Sequence, residues 1–153
     1  MKSNHWLRRF VWAAVIFALL PLGIGLAVVD PVNKNIFGTA LKGYDTVAYF
    51  NEGRAVKGKD EFRHDWQGAK WFFASAANRA EFVKSPEKFA PQYGGYCAWA
   101  VGHAYTANID PEAWKIVAGK LYLNYDKRVQ QRWEQDVPGW IAKANENWPK
   151  LKK

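Results

Sequence analysis

The chain has 153 residues, of which 49% are hydrophobic and 16% aromatic. This length suits one domain with a substantial hydrophobic core and is too short for two full domains. The formal net charge is +8, but the sequence has no basic stripe interleaved with aromatic residues and no nucleic-acid-binding motif, so no nucleic-acid partner is expected.

The first predicted element is an apolar helix over residues 10–29, a run that begins at Phe10, ends at Val29 and contains no charge. At ~1.5 Å per residue its 20 residues would span ~30 Å, the thickness of a bilayer core. Three basic residues precede it and are expected to remain in the cytoplasm. A retained signal anchor is favoured over a cleaved signal peptide, because the run exceeds the ~7–15 residues of a signal-peptide core.

Both alternatives predict a domain that works outside the cytoplasm. The retained anchor predicts a single-pass protein of the inner membrane with its C-terminal domain in the periplasm, and cleavage predicts a periplasmic protein. Beyond the leader there are 19 basic and 14 acidic residues, which gives a net charge of +5. The expected boundaries are 1–29 for the leader, 30–43 for a connecting segment, 44–149 for the domain and 150–153 for a basic tail.

Two β-hairpins are predicted. Residues 61–75 contain two aromatic-rich runs around Gln67-Gly68, a tight-turn signal, and residues 113–126 contain a second alternating pair that turns at Gly119-Lys120. No internal repeat is evident between the two regions.

Short helices are predicted around these hairpins. Ser75 and Asp126 are expected to cap helices that follow the first and second hairpin, and residues 96–102 predict a buried helix. Pro138-Gly139 is expected to break the chain before a last amphipathic stretch. The fold class is therefore α+β, with two hairpins and several short helices after the N-terminal apolar helix.

Several motifs carry a family resemblance. GAKWFFAS (68–75), followed by Phe82 and SPEKF (85–89), resembles the YHS domain. The longer stretches GYDTVAYF (43–50), PQYGGYCAWAV (91–101), DPEAWKIV (110–117) and GKLYLNYDKRVQ (119–130) are similar to exported, stand-alone YHS-domain proteins of bacteria. The resemblance implies an association with metals. Metal-linked members carry cysteines directly after the aromatic pair and about four residues later, where this chain has Ala74 and Asn78. The paired-thiol site is therefore not carried over.

Cys97, the only cysteine, and His103 form the principal candidate site. A thiolate and an imidazole both bind copper and zinc. Asp45 and Asp110 are candidates for a further oxygen ligand or for a group that orients a ligand, and His64 is a weaker candidate. Each has a structural alternative: Cys97 as a small core residue or a reactive thiol, the aspartates as helix caps, and His64 as a hydrogen-bonded neutral side chain.

Seven of the nine tryptophans lie beyond the leader. Trp140 and Trp148, next to the basic tail, are interpreted either as core residues or as a surface for a partner or the membrane interface. No catalytic residue is assigned. The sequence favours a membrane-tethered periplasmic binding module that takes a copper or zinc ion, over a metal-free interaction or structural subunit of an envelope complex, with an enzyme third.

Overall fold

The computed structural model describes residues 28–152, so the predicted apolar helix lies outside the described residues except for its last two, Val28 and Val29, which are not helical. Helices and short strands alternate along the chain as α1 (Thr46–Asn51), β1 (Lys59–Trp66), β2 (Ala69–Phe73), α2 (Ala76–Lys84), α3 (Pro86–Phe89), α4 (Ala98–Gly102), β3 (Asp110–Val117), β4 (Lys120–Asn124), α5 (Lys127–Trp133) and α6 (Val137–Leu151). Three short 3₁₀ helices cover Leu41–Gly43, Gln92–Gly95 and Glu134–Asp136. The predicted α+β class is confirmed. Among the described residues, no helix is both long and apolar enough to cross a bilayer.

Each hairpin forms its own two-stranded antiparallel sheet, β1 with β2 and β3 with β4. The first turn is at Gln67-Gly68, as predicted, and both residues have positive φ angles of 48° and 69°. The second turn lies at Ala118-Gly119, one residue before the predicted position, with φ angles of 50° and 74°. Two consecutive residues with positive φ make the turn twist in the sense that antiparallel strands require.

The two hairpins belong to a structural repeat. β1 and β3 begin at residues 59 and 110, β2 and β4 at 69 and 120, and α2 and α5 at 76 and 127, so each element recurs after 51 residues. The pairing of both hairpins also shifts register at the same place, after the first residue of the long strand. The expectation that the chain has no internal repeat is therefore wrong for its structure.

The repeat extends to the helix that precedes each hairpin. α1 and α4 begin at residues 46 and 98, an offset of 52 residues. Each follows a Gly-Tyr pair, and the two glycines, Gly43 and Gly95, have positive φ angles of 78° and 81°. Below, "first half" means residues 43–84 and "second half" means residues 95–133.

The same core positions are filled in both halves. Phe82 of α2 packs on Trp71 of β2 with ring centroids 5.2 Å apart, and Trp133 of α5 packs on Tyr122 of β4 at 5.4 Å. Phe82 and Trp133 are fully buried. They stand 51 residues apart in the chain, at 82 and 133, as Trp71 and Tyr122 do. One aromatic pair therefore fixes each helix on its hairpin.

The second half contacts both core clusters. Leu121 and Leu123 of β4 belong to a cluster that joins residues of both halves, whereas Tyr122 belongs to a second cluster with Trp133 and Ala144 of α6. β4 is therefore buried on both faces, which explains why it reads as a nearly continuous apolar run.

The chain on either side of the two halves also packs on them. In the predicted connecting segment Val32, Ala40 and Leu41 are buried in the first cluster. At the other end α6 begins at Val137, so the predicted break at Pro138-Gly139 is wrong. Proline is tolerated in the first turn of a helix because its missing N–H has no intrahelical partner there.

Candidate functional site

Asp45 caps α1 from a fully buried position, and the capping alternative of the sequence analysis is confirmed. Its Oδ1 accepts hydrogen bonds from the backbone N–H groups of Val47 at 2.8 Å and Ala48 at 3.3 Å. Its Oδ2 accepts from the backbone N–H of Ala74 and from the side-chain Nδ2 of Asn78, both at 2.7 Å. Four donors thus surround one carboxylate, which has no free side toward solvent.

Cys97 occupies the corresponding N-cap position of α4 in the second half, with 1% of its surface exposed. Its thiol donates to Oδ1 of Asn124 on β4, with a sulfur–oxygen distance of 3.8 Å. The same oxygen accepts from the backbone N–H of Trp99 at 3.2 Å. A strand amide therefore caps α4 in the way that the Asp45 carboxylate caps α1.

Two opposing effects act on the Cys97 thiol. Burial, the larger one, raises its pKa, whereas the nearby backbone N–H groups of Ala100, Tyr125 and Trp99 lower it. Ala100, Tyr125 and Trp99 are the repeat counterparts of Ala48, Ala74 and Val47, the three residues whose N–H groups bind Asp45. Cys97 forms no regular capping hydrogen bond, but its sulfur lies in a cradle of N–H groups that holds an anion in the first half.

The two halves differ in the side chain that lies beside these N–H groups. Asn78, which donates to Asp45, is replaced in the second half by Val129, which has no polar side chain. In addition, Nδ2 of the fully buried Asn124 has no hydrogen-bond partner among residues 28–152. The carboxylate of the first half is fully satisfied, whereas the thiol of the second half lies beside an unused donor.

Cys97 also lines a pocket of about 360 Å³, here called the Cys97 pocket. Its wall combines aromatic rings, small apolar side chains and one guanidinium, from Trp99, Ala100, Tyr105, Ala107, Tyr125, Val129 and Arg132. Within the described part of the chain Arg132 forms no ion pair. The pocket thus offers both apolar walls and convergent polar groups, and small-ligand sites use both.

His103 lies at the other end of α4 and is exposed. Its Nδ1 is 2.8 Å from the carbonyl oxygen of Trp99, and its ring stacks on Trp140 with centroids 4.6 Å apart. Five helical residues separate it from Cys97, so the helix axis alone places the two backbones about 8–9 Å apart. The structure therefore assigns His103 to an aromatic stack and does not orient it toward the thiol.

The other two predicted ligands, Asp110 and His64, make contacts that do not involve the Cys97 thiol. Asp110 begins β3, and its Oδ1 accepts from the backbone N–H of Glu112 at 2.9 Å, a local turn interaction. The His64 ring packs against Phe82 at 6.2 Å. Between residues 28 and 152 no three His, Cys, Asp or Glu side chains form a group that could hold a metal ion. Cys97, His103, Asp45 and Asp110 therefore do not converge on one centre.

Trp140 and Trp148 are half-buried and pack on the second core cluster. Trp140 contacts Trp99 at 4.2 Å, and Trp148 contacts Tyr96 at 5.9 Å. These contacts agree with the interpretation of both tryptophans as packing residues. A partner surface at Trp140 and Trp148 stays a prediction.

Sequence reasoning missed Asn124 and Arg132. Asn124 lies within the GKLYLNYDKRVQ motif but was not singled out, and Arg132 lies just beyond it. Each meets Cys97 or its pocket only because β4 and α5 return beside α4. The signal that could have found them is the repeat itself, since Asn124 follows Leu123 at the position where the first hairpin has Phe73.

Comparison with known proteins finds a family match. Residues 47–93 match the family model described as YHS domain, which is consistent with a YHS-domain-containing protein. No curated protein and no solved structure matches the chain. The bacterial and exported character suggested by the longer motifs stays a prediction.

The matched region begins two residues after Asp45, covers most of the first half and ends before Cys97. Metal binding is the role with which this domain family is generally associated. The positions at which metal-linked members are expected to have cysteines, Ala74 and Asn78, both contact Asp45. Their repeat counterparts, Tyr125 and Val129, line the Cys97 pocket. Cys97, the counterpart of Asp45, therefore lines the same pocket as the counterparts of those two positions.

Proposed function

We propose that this protein is a non-catalytic binding module that takes a soft metal ion, copper(I), at Cys97. The observation that carries the proposal is that the chain's only thiol lines a pocket and has, within residues 28–152, a single hydrogen-bond partner, Oδ1 of Asn124. The family's association with metals supports the same role.

The ligand set favours copper(I) over zinc. Structural zinc is held by four protein ligands, and the described residues provide no group of three candidate ligands. Copper(I) selects thiolate sulfur and accepts a low coordination number. The proposal therefore assigns ligation to Cys97 alone and leaves His103, the other predicted ligand, in its stack with Trp140.

The remaining coordination position is assigned to an external thiol. The Cys97 pocket is large enough for a small molecule, and Arg132 at its wall can pair with a carboxylate. A low-molecular-weight thiol that bears carboxylates fits both features. Copper(I) would then be shared between the protein and its carrier, as suits a module that accepts and passes on an ion.

We propose in addition that the apolar run over residues 10–29 tethers the module to the inner membrane with the domain in the periplasm. The length of the run and its basic N-terminal flank support this arrangement. A tether would keep the module close to envelope proteins with which it exchanges the ion.

The copper proposal is tested by titrating the reduced full-length protein in detergent with copper(I) against a chromophoric chelator, with and without glutathione. We expect one copper(I) per chain, bound more tightly than micromolar, and tighter binding with glutathione. Cys97→Ala should abolish binding, and His103→Ala, the matched control, should leave it unchanged. Arg132→Gln should remove the gain from glutathione.

Unchanged binding in Cys97→Ala, or no binding by the wild-type protein with or without glutathione, would reject the proposal. Cys97 would then be a core residue. The metal-free alternative, an interaction or structural subunit of an envelope complex, would become the leading function.

A further inference from the structure

We infer that Ile36 and Phe37 insert into the headgroup region of an anionic bilayer when the full chain is in place. The two residues form the tip of a turn, here called the Ile36–Phe37 turn, that the bridge between Lys34 and Ala40 closes. Ile36 is 93% exposed and Phe37 is 73% exposed, the highest values among the large hydrophobic residues of the described chain. Adjacent apolar side chains exposed to this extent mark a contact surface.

The turn presents these side chains in a fixed conformation. Oδ1 of Asn35 accepts hydrogen bonds from the backbone N–H groups of Phe37 at 2.9 Å and Thr39 at 3.0 Å. The backbone N–H of Gly38 donates to the carbonyl of Asn35 at 2.9 Å. The ordering of the loop is therefore complete before any contact forms, which lowers the entropic cost of insertion.

The position of the turn along the chain favours a bilayer as the occupant, and this step rests on the proposed membrane tether. The charge-free run ends at Val29, and Ile36 follows seven residues later, at most about 25 Å away. An ion pair between Lys34 and Asp30, at 3.8 Å, holds the base of the turn beside the start of the domain. A bilayer that contains residues 10–29 is thus within reach of the turn.

The charges around this part of the domain suit an anionic surface. Lys34 and Lys70 flank the turn, since Lys34 is bridged to Ala40 and Lys70 to Thr39. Lys150 and Lys152 lie at the end of α6, next to the start of the described chain, because Val29 donates to Leu151 and is bridged to Lys152. The neighbouring acidic residues are Asp30, paired with Lys34, Asp65, opposite Lys70 in the hairpin, and Glu87, which lines the same pocket as Lys152. Basic residues therefore outnumber acidic ones here, and each Lys near an anionic membrane contributes favourably.

The test uses the full chain with Cys97→Ala, so that one introduced cysteine carries an environment-sensitive fluorophore. Phe37→Cys reports on the turn. Asp60→Cys is the matched control. Asp60 is exposed and lies near the start of β1, about 20 Å from Gly68 at the other end of the strand. Gly68 is the end of the hairpin that lies beside the Ile36–Phe37 turn, because its carbonyl accepts from Lys34. Each labelled protein is reconstituted in vesicles of phosphatidylcholine with phosphatidylglycerol, and lipid-borne quenchers are added.

We expect at least twofold stronger quenching at position 37 than at position 60, and a loss of this difference in vesicles of phosphatidylcholine alone. Equal quenching at both positions in vesicle-bound protein would overturn the inference and leave the tether intact. A label at 37 that is shielded from water but not quenched by lipid would also overturn it, in favour of a protein contact. A chain that does not associate with the vesicles would reject the tether and the inference together.

Discussion

The two halves of the molecule place the same backbone around different side chains. In the first half Asp45 fills the N-cap position, and four donors satisfy its carboxylate. In the second half Cys97 fills that position, the strand amide of Asn124 caps the helix, and a pocket opens beside the thiol. The comparison shows how a structural cluster in one copy becomes a candidate binding site in the other. The N–H groups come from the backbone in both halves, so the difference between the two clusters depends on a few side chains.

The largest expected effect comes from removing the capping group of each half. Asp45→Ala leaves three backbone N–H groups and the Asn78 amide without their acceptor, so we expect a loss of about 3–5 kcal/mol in the free energy of unfolding. Cys97→Ala removes one weak hydrogen bond and a small volume, and should cost about 1–2 kcal/mol. Urea denaturation of both variants measures the difference. Equal losses would contradict the contrast between a closed and an open cluster.

A replacement sharpens the comparison of the two cradles. Cys97→Asp introduces a carboxylate where backbone N–H groups already converge, and the unused Nδ2 of Asn124 can turn toward it. We expect this variant to fold and to lose less than about 2 kcal/mol relative to Cys97→Ala, although an unpaired buried charge ordinarily costs more. Cys97→Asn, which has the shape of aspartate but no charge, is the control. A Cys97→Asp protein that does not fold, while Cys97→Asn does, would show that the second cradle does not hold an anion.

The next effect concerns the tryptophans that fill the two cores. Nε1 of Trp71 donates to the carbonyl of Trp66 at 2.9 Å, whereas Nε1 of Trp133 has no partner among the described residues. Trp71→Phe should therefore cost about 2–3 kcal/mol, and Trp133→Phe about 1 kcal/mol, since the second change also removes an unsatisfied buried donor. Thermal and urea unfolding of the two variants give the ranking. The reverse order would indicate that Trp133 has a partner that these contacts do not include.

Local signals predicted much of this fold. The caps at Asp45, Ser75 and Asp126 and the turn at Gln67-Gly68 are set by residues a few positions apart, and each was found from the sequence. The repeat was not found, because the two halves share backbone geometry and buried volume and not residue identity. Phe82 and Trp133, for example, are different residues that each fill the core between a helix and its hairpin.

The candidate site was only partly predictable for the same reason. Cys97 was identified as the residue to examine, but its contacts with Asn124 and Arg132 depend on how β4 and α5 return beside α4. His103 was paired with Cys97 because the two are close in sequence. Its ring turns instead toward Trp140, a residue of α6 that no local pattern connects to it.

A pH effect tests the contact between the halves. The hydroxyl of Tyr49 in α1 donates to the carbonyl of Pro111 in β3 at 2.9 Å, and burial raises the pKa of Tyr49 above its usual range. Because the folded-state pKa is raised, this stability is fully present below pH ~10 and is lost as the pH rises further, when only the unfolded chain ionises. For the wild type, the urea concentration at the unfolding midpoint should be lower at pH 11 than at pH 8. The fall should be smaller for Tyr49→Phe than for Tyr105→Phe, an exposed control, and equal falls would contradict the assignment.

The smallest effect distinguishes the two caps that follow the hairpins. Ser75 accepts from the backbone N–H of Asn78 at 3.1 Å, and Asp126 accepts from that of Val129 at 2.7 Å. Ser75→Ala should cost about 1 kcal/mol at any pH. The Val129 N–H is the main cause that lowers the pKa of Asp126, so its contribution is present above pH ~4 and is lost as the pH falls through the folded-state value. Asp126→Ala should therefore destabilise α5 at pH 7 and have little effect near pH 2, as measured by urea unfolding at both values. If Ser75→Ala shows the same pH dependence, the charge of Asp126 is not what separates the caps of the two halves.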